Sequence, residues 1–136
     1  MDLDAAREFV RSHHRAVMLT TRADGRPQLS PVACAVDADG NVVVSTRETA
    51  MKAKNLRRNP AVSLCVFADE FYGPWIQVDG TATVVPLPDA MEPLVDYYRQ
   101  VSGEHPDWDD YRAAMTRDRR VIVRIALERA GPDVSG

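Results

Sequence analysis

The chain has 136 residues, which is enough for one ordinary domain and too few for two. Its apolar share of 45% and charged share of 27% are those of a folded globular protein, which excludes a disordered or fibrous chain. The net charge of -3 argues against broad binding to nucleic acid through phosphate contacts.

The chain begins with a segment that is predicted to form a short amphipathic helix within residues 1–15. Its apolar residues recur at helical spacing, and Asp2 or Asp4 can cap the first turn. Because the segment mixes charged with apolar residues and has no long apolar run, we expect neither a signal peptide nor a membrane span. A cytoplasmic protein is therefore expected.

Six strands and three further helices are predicted after that helix. Turn sequences at residues 23–26 and 37–41 separate the first three strands. Pro60 ends the helix before the fourth strand, and the fifth strand alternates apolar with polar residues. The strands are predicted over residues 16–21, 28–36, 42–45, 61–67, 75–85 and 121–127, and the helices over residues 49–58, 89–101 and 107–115.

This order of elements favours a mainly β fold. Strands at hairpin spacing with only short helices between them are typical of an antiparallel sheet that curls into a barrel. A single domain is expected over residues 1–136, with a flexible tail over residues 130–136. Cys34 and Cys65 lie in separate apolar runs, so each is predicted to be a buried free thiol in a reducing compartment.

The segment over residues 42–60 has the parts of a phosphate site. An apolar strand leads into hydroxyl and arginine side chains, and the helix that follows holds the only lysines of the chain: Ser45, Thr46, Arg47, Lys52 and Lys54. Hydroxyls, cations and the positive end of a helix would all face one anion. The alternatives are a solvated helix face for the charges and helix capping for the hydroxyls.

Other candidate residues have simpler explanations. Four arginines near the C-terminus follow an acidic patch, and mutual pairing within the fold or across a subunit boundary is their simplest use. The arginines are Arg117, Arg119, Arg120 and Arg124, and the acids are Glu104, Asp107, Asp109 and Asp110. Trp75 either packs in a core or interface or covers a planar ring. The sequence has no nucleophile elbow, HExxH, CxxC or dinucleotide-binding motif, so no catalytic residue is assigned and no metal site is expected.

Several segments together resemble a known superfamily. The run VVVSTRETAMKAKNLRRNPAVSLCV, followed by GPWIQVDGTATV, is similar to the flavin-binding split-barrel superfamily that includes the pyridoxamine 5'-phosphate oxidases. The segments GRPQLSPVACAVD and GEHPDWDDYRAAMTRDRRV resemble its actinobacterial branch, which uses the deazaflavin coenzyme F420. Fifteen arginines against two lysines also suit an actinobacterium.

The resemblance implies a six-stranded split barrel of the FMN-binding type that forms a homodimer, with cofactor sites between the subunits. The residues that it implies for the cofactor phosphate are Ser45, Thr46 and Lys52, with Arg47 and Asn55 nearby. The residues that it implies for the groove are Gln28, Leu29, Ser30 and Met51, with Trp75 supplied by the partner subunit.

The activity that the resemblance implies is hydride transfer from reduced F420 to an electron-poor planar organic substrate. No side-chain nucleophile is expected, because the cofactor performs the difficult chemistry. The alternatives are an FMN-dependent oxidoreductase with the same groove and a non-catalytic protein that binds a flavin, a deazaflavin or haem. Vitamin B6 oxidase activity is not expected, since the regions that would bind a pyridoxal-type phosphate read QLSPVACAV and RIALERAG.

Overall fold

The computed structural model describes residues 1–133 of the chain. Its helices are α1 (Leu3–Ser12), α2 (Met51–Arg58), α3 (Met91–Ser102) and α4 (Trp108–Arg117). Its strands are β1 (Arg15–Thr21), β2 (Pro27–Ala33), β3 (Ala35–Val36), β4 (Val42–Arg47), β5 (Ala61–Phe67), β6 (Trp75–Val85) and β7 (Arg120–Asp133). Within this part of the chain, every helix is too short or too polar to cross a membrane.

All strands pair antiparallel in one sheet with the order β2-β1-β5-β6-β7-β4-β3. The two strands at the ends of this order are consecutive in the chain and are separated by Cys34 alone. His14 bridges the break, because its carbonyl oxygen accepts from the Cys34 N–H at 2.8 Å and its Nδ1 donates to the Cys34 carbonyl oxygen at 2.8 Å. The sheet therefore curls towards closure, and the predicted mainly β split barrel is confirmed, with the second predicted strand divided into β2 and β3.

Two apolar clusters lie on opposite faces of the sheet. The first fills the barrel and includes Met18, Leu64 and Ile76, all almost fully buried. The second lies between α3, α4 and the outer face of β3, β4 and β7, where Val43 and Ile122 pack against the helices. The helices thus cover one half of the outer surface of the barrel.

Two expectations from the sequence differ from the structure. Cys34 is buried, and burial raises the pKa of its thiol to about 12, but Cys65 is exposed, so its predicted burial is wrong. The reason is that Cys65 lies on the outer face of β5, which the described residues leave uncovered. The strand β7 runs to Asp133, so residues 130–133 are paired with β6 where a tail was expected. Residues 134–136 of that predicted tail lie outside the described residues.

Helix α2 closes one end of the barrel. Ala53 and Leu56 are buried, and Leu56 joins the cluster inside the barrel. Ala50 is the N-cap residue of α2 and its side chain makes no capping hydrogen bond. The beginning of α2 therefore presents backbone N–H groups beside the end of β4, without a side chain of its own to accept from them.

Candidate functional site

A cavity of about 460 Å³ lies at the rim of the barrel, between α2 and the turn that joins β1 to β2. We call this cavity the rim pocket. Three predicted groove or site residues, Gln28, Met51 and Asn55, line it together. Its other lining residues are Arg22, Ala23, Asp24 and Arg58.

The wall of the rim pocket is organised around Asn55, which is only 1% exposed. Its Nδ2 donates to Thr20 Oγ1 and to Gln28 Oε1, both at 3.1 Å. Its Oδ1 accepts from the Arg58 guanidinium at 2.9 Å, and the same guanidinium donates to the Thr21 carbonyl oxygen at 3.0 Å. The amide of Asn55 thereby fixes the orientation of Gln28 and Arg58 at the pocket wall.

The rim pocket is electrostatically positive. Asp24 is the acidic residue in its lining, and the Arg26 guanidinium donates two hydrogen bonds to its carboxylate, at 2.9 and 3.0 Å. These bonds lower the pKa of Asp24 below its usual value. Arg22 and Arg58 form no ion pair within the described residues. An anionic or electron-rich group would therefore find favourable charges there.

Strand β4 sends Ser45 and Thr46 to opposite faces of the sheet. Thr46 is 4% exposed and shares the inner face with Val44, whereas Ser45 and Arg47 share the outer face with Val43. This follows from the two-residue period of a strand, in which successive side chains alternate. The structure does not bring the two predicted hydroxyls to one point through their side chains.

Lys52 lies in the first turn of α2 and is partly buried. Burial lowers the pKa of its ammonium group, and the positive charge of Arg120 lowers that pKa further. Within residues 1–133, Lys52 has no carboxylate within ion-pair distance. A partly desolvated cation without a counter-charge is an unfavourable arrangement in the absence of an anion.

Arg120 is a residue that the sequence analysis did not place in the site. It lies directly opposite Arg47 in the pairing of β4 with β7, and its Nε is buried without a hydrogen-bond partner in the described structure. We call Arg47, Lys52 and Arg120 the cation cluster. Only the register between two strands far apart in sequence brings Arg120 there, so local patterns could not have found it.

Within the described part of the chain, the C-terminal arginines do not pair with the acidic patch, and the alternative pairing across a subunit boundary stays a prediction. Arg124 instead lies 3.6 Å from Asp37, and Arg117 lies 3.5 Å from Asp118. Glu104 pairs with Arg99 at 3.0 Å. Helix α4 packs against the outer face of β7 through Tyr111, but its acids Asp109 and Asp110 are exposed, whereas pairing with β4 sets the position of the β7 arginines.

The remaining predicted residues occupy other surfaces. Ser30 lies opposite Met18 and faces the interior of the barrel. Leu29 is 62% exposed on the outer face, and Trp75 lies on that same outer face opposite Phe67. In a single chain, Leu29 and Trp75 therefore do not line the rim pocket with Gln28.

The chain matches a family model. The model described as pyridoxamine 5'-phosphate oxidase matches residues 3–131. A curated relative, named F420H(2)-dependent biliverdin reductase, from Mycobacterium tuberculosis, is 28% identical over 127 residues, covering 93% of this chain and 84% of the relative.

Solved structures share the fold. The conserved hypothetical protein Rv2991 from Mycobacterium tuberculosis superposes with a TM-score of 0.77 at 28% identity, over 96% of this chain and 82% of that chain. A protein named F420 reductase superposes with a TM-score of 0.70 at 22% identity, over 91% of this chain and 94% of that chain. At that lower identity the second likeness is evidence for the fold alone.

Proposed function

The chain belongs to the pyridoxamine 5'-phosphate oxidase family, and from that membership we propose that it is an F420-dependent reductase of an electron-poor planar organic substrate. The observation that carries the proposal is the partly buried Lys52, which has no carboxylate partner within the described residues and stands at the uncapped start of α2. This cation lies one residue from Met51, which lines the rim pocket. A cofactor with a ring system and a phosphate fits such a combination of cavity and cation.

The choice of F420 over FMN is supported by the curated relative and by charge. That relative bears the name of an F420-dependent enzyme and aligns with nearly the whole chain. F420 extends beyond its phosphate into an oligoglutamate tail, which needs cations along its path. Lys54 and Arg57 are exposed on α2. We assign the tail to this side of the helix.

The residues present fit the phosphate and the ring at different places. Lys52 and the N–H groups at the start of α2 would hold the phosphate. Gln28, Met51 and Asn55 would hold the ring, and the Asn55 network would keep the polar groups of the wall oriented. When bound, F420 supplies the hydride, so the tasks of this chain are binding, orientation and exclusion of water. No side-chain nucleophile is required.

We also propose that the protein is a homodimer. The support is the outer face of β1, β2, β5 and β6, which no helix within residues 1–133 covers. Apolar side chains are neighbours across these strands in the pairs Leu19 with Leu29, Val17 with Cys65, and Phe67 with Trp75. An uncovered apolar face of this kind marks an association surface, and a twofold axis would let it pack against its own copy. Trp75 would then lie at the subunit boundary.

Titration of the purified protein with F420 and with FMN tests the cofactor assignment. We expect F420 to bind more tightly, and Lys52→Ala to weaken its binding by roughly tenfold to a hundredfold, because a charge-assisted hydrogen bond contributes about 1.5–3 kcal/mol. Arg117→Ala is the control, since Arg117 is exposed at the C-terminal end of α4 and lies outside the residues proposed to bind F420. We expect its effect to be about threefold or less, as for a screened surface charge.

Two results would contradict the assignment. Tight binding of FMN without binding of F420 would move the proposal to an FMN oxidoreductase. If F420 binds but its reduced form is not oxidised by any of a panel of enones, quinones, tetrapyrroles and nitroaromatics, the protein is a cofactor carrier and not a reductase.

A further inference from the structure

We propose that Arg120 is an anion-binding residue whose guanidinium, together with Lys52 and Arg47, binds the phosphate group of the cofactor. The identity of the phosphate-bearing molecule rests on the proposed function. The binding of an anion at this place does not rest on the proposed function, because the cation cluster alone supports it.

Arg120 faces another arginine across the sheet. The pairing of β4 with β7 sets Arg47 directly opposite Arg120, on the outer face of both strands. Directly opposed residues in an antiparallel sheet have Cβ atoms about 4.5–5.5 Å apart, and like charges at that distance destabilise the pairing. An anion bound between the two arginines would offset this repulsion.

The Nε atom of the Arg120 guanidinium is buried, although the residue as a whole is only half-buried. Arg120 Nε has almost no contact with solvent and no hydrogen-bond acceptor within the described structure. Arginine does not lose its proton in proteins, so Nε–H remains a buried donor on a fully charged group. Buried polar groups are nearly always hydrogen-bonded, and an exception calls for a missing partner such as an ion.

The titratable groups around the cation cluster do not balance its positive charge. Glu48 lines a recess of about 100 Å³ with Arg120, but its carboxylate lies 3.8 Å from Arg57. Tyr97 and Tyr111 are the other titratable groups influenced by Arg120, and burial raises the pKa of both, so they are neutral at pH 7. These neighbours leave the cluster positively charged.

The positive charge of Arg120 acts on Lys52, and no negative group among the described residues offsets that effect. Burial lowers the pKa of Lys52, Arg120 lowers it further, and no carboxylate acts in the opposite direction. A phosphate group matches this arrangement because it accepts two parallel bonds from a guanidinium and one from an ammonium group at the same time. The uncapped start of α2 adds a positive helix end beside Lys52.

The test compares Arg120→Gln with Arg124→Gln. Arg124 is the matched control because it lies on the same strand and the same face, and its Nε is likewise buried without a hydrogen-bond partner in the described structure, but the Asp37 carboxylate lies 3.6 Å from that Nε. We expect Arg120→Gln to weaken F420 binding by about tenfold to a hundredfold, and Arg124→Gln to change it by less than threefold. Arg120→Lys keeps the charge without the planar fork and is expected to recover only part of the affinity.

A second measurement does not depend on F420. Because the chain has two lysines, NMR of the ¹³C-methylated protein resolves Lys52 from Lys54. We expect inorganic phosphate to raise the pKa of Lys52 in the wild-type protein and to raise the melting temperature relative to sodium chloride of equal ionic strength. In Arg120→Gln without phosphate, the pKa of Lys52 should rise, since its positive neighbour is gone, and the response to phosphate should be weaker.

The outcomes separate this inference from the proposed function. If F420 binds equally to the wild-type protein and to Arg120→Gln, and the pKa of Lys52 is the same in both, Arg120 is not in the anion site and the inference is wrong. If phosphate raises the Lys52 pKa through Arg120 but F420 does not bind, the anion site stands and the cofactor assignment fails. Should Arg120→Gln not fold, Arg120→Lys and the wild-type phosphate titration decide the matter.

Discussion

At the scale of single residues, the role of a buried polar group depends on whether it has a hydrogen-bond partner. Asn55 is almost fully buried and still makes three side-chain hydrogen bonds, to Thr20, Gln28 and Arg58. Arg120 has the opposite character, because its Nε is buried and has no partner in the described structure. The sequence indicated Asn55 as a nearby donor, but only the contacts show that it holds the wall of the rim pocket together.

Asn55→Ala should destabilise the protein and weaken cofactor binding together. Removal of the amide leaves the buried groups of Thr20 and Gln28 with fewer partners, and such a loss costs about 1–3 kcal/mol in the free energy of unfolding. Urea denaturation measures the first effect and F420 titration the second. Asn59→Ala is the control, since Asn59 is half exposed at the C-cap of α2 and accepts one hydrogen bond from Ala61 N. A variant Asn55→Ala with unchanged stability and affinity would contradict the structural role of this network.

At the scale of secondary structure, the long pair of strands β6 and β7 bends where its register shifts between Asp79 and Gly80. A Cβ atom on Gly80 would lie 2.3 Å from the Ala126 carbonyl oxygen and 2.8 Å from Ile125 Cγ2. Glycine is therefore required there by the close approach of the neighbouring backbone. The sequence alone gives an uninterrupted alternating strand, because the bulge depends on the partner strand.

Gly80→Ala should destabilise the barrel by about 1–3 kcal/mol in the free energy of unfolding, as expected when an atom is forced into packed backbone. The measurement is chemical denaturation at equilibrium. Thr81→Ala, at the next and exposed position, should stay within about 0.5 kcal/mol of the wild-type protein. Equal stability of Gly80→Ala and the wild type would mean that the strands can separate at the bulge without cost.

At the scale of the whole molecule, the barrel is covered unequally. Helices α3 and α4 pack on β3, β4 and β7, where Tyr111 Oη donates to the Leu94 carbonyl oxygen at 2.8 Å and holds the two helices together. In the part of the chain that the structure describes, the opposite half of the outer surface has no such cover and exposes Leu29 and Cys65. This asymmetry is the basis for the homodimer that we propose.

Cys65→Arg should convert the proposed dimer to a monomer, because it would bury a charge without a partner in the centre of an apolar interface. Light scattering after gel filtration measures the mass. Ser102→Arg, at the exposed end of α3, is the control and should leave the mass unchanged. If the wild-type protein is already a monomer at micromolar concentration, the proposal of a dimer is wrong, and Trp75 of one chain cannot complete the site of another.

The sequence by itself determined the succession of helices and strands and the antiparallel barrel, and it predicted α2 and the strand before it as the place for an anion. These features depend on local spacing, turn residues and caps, which act between neighbours in the chain. The structure decided which face each side chain occupies: it separated Ser45 from Thr46 and left Cys65 exposed. It also brought Arg120 opposite Arg47. Strand register and the covering of faces arise from contacts between segments far apart in sequence, and for that reason only the tertiary structure could determine them.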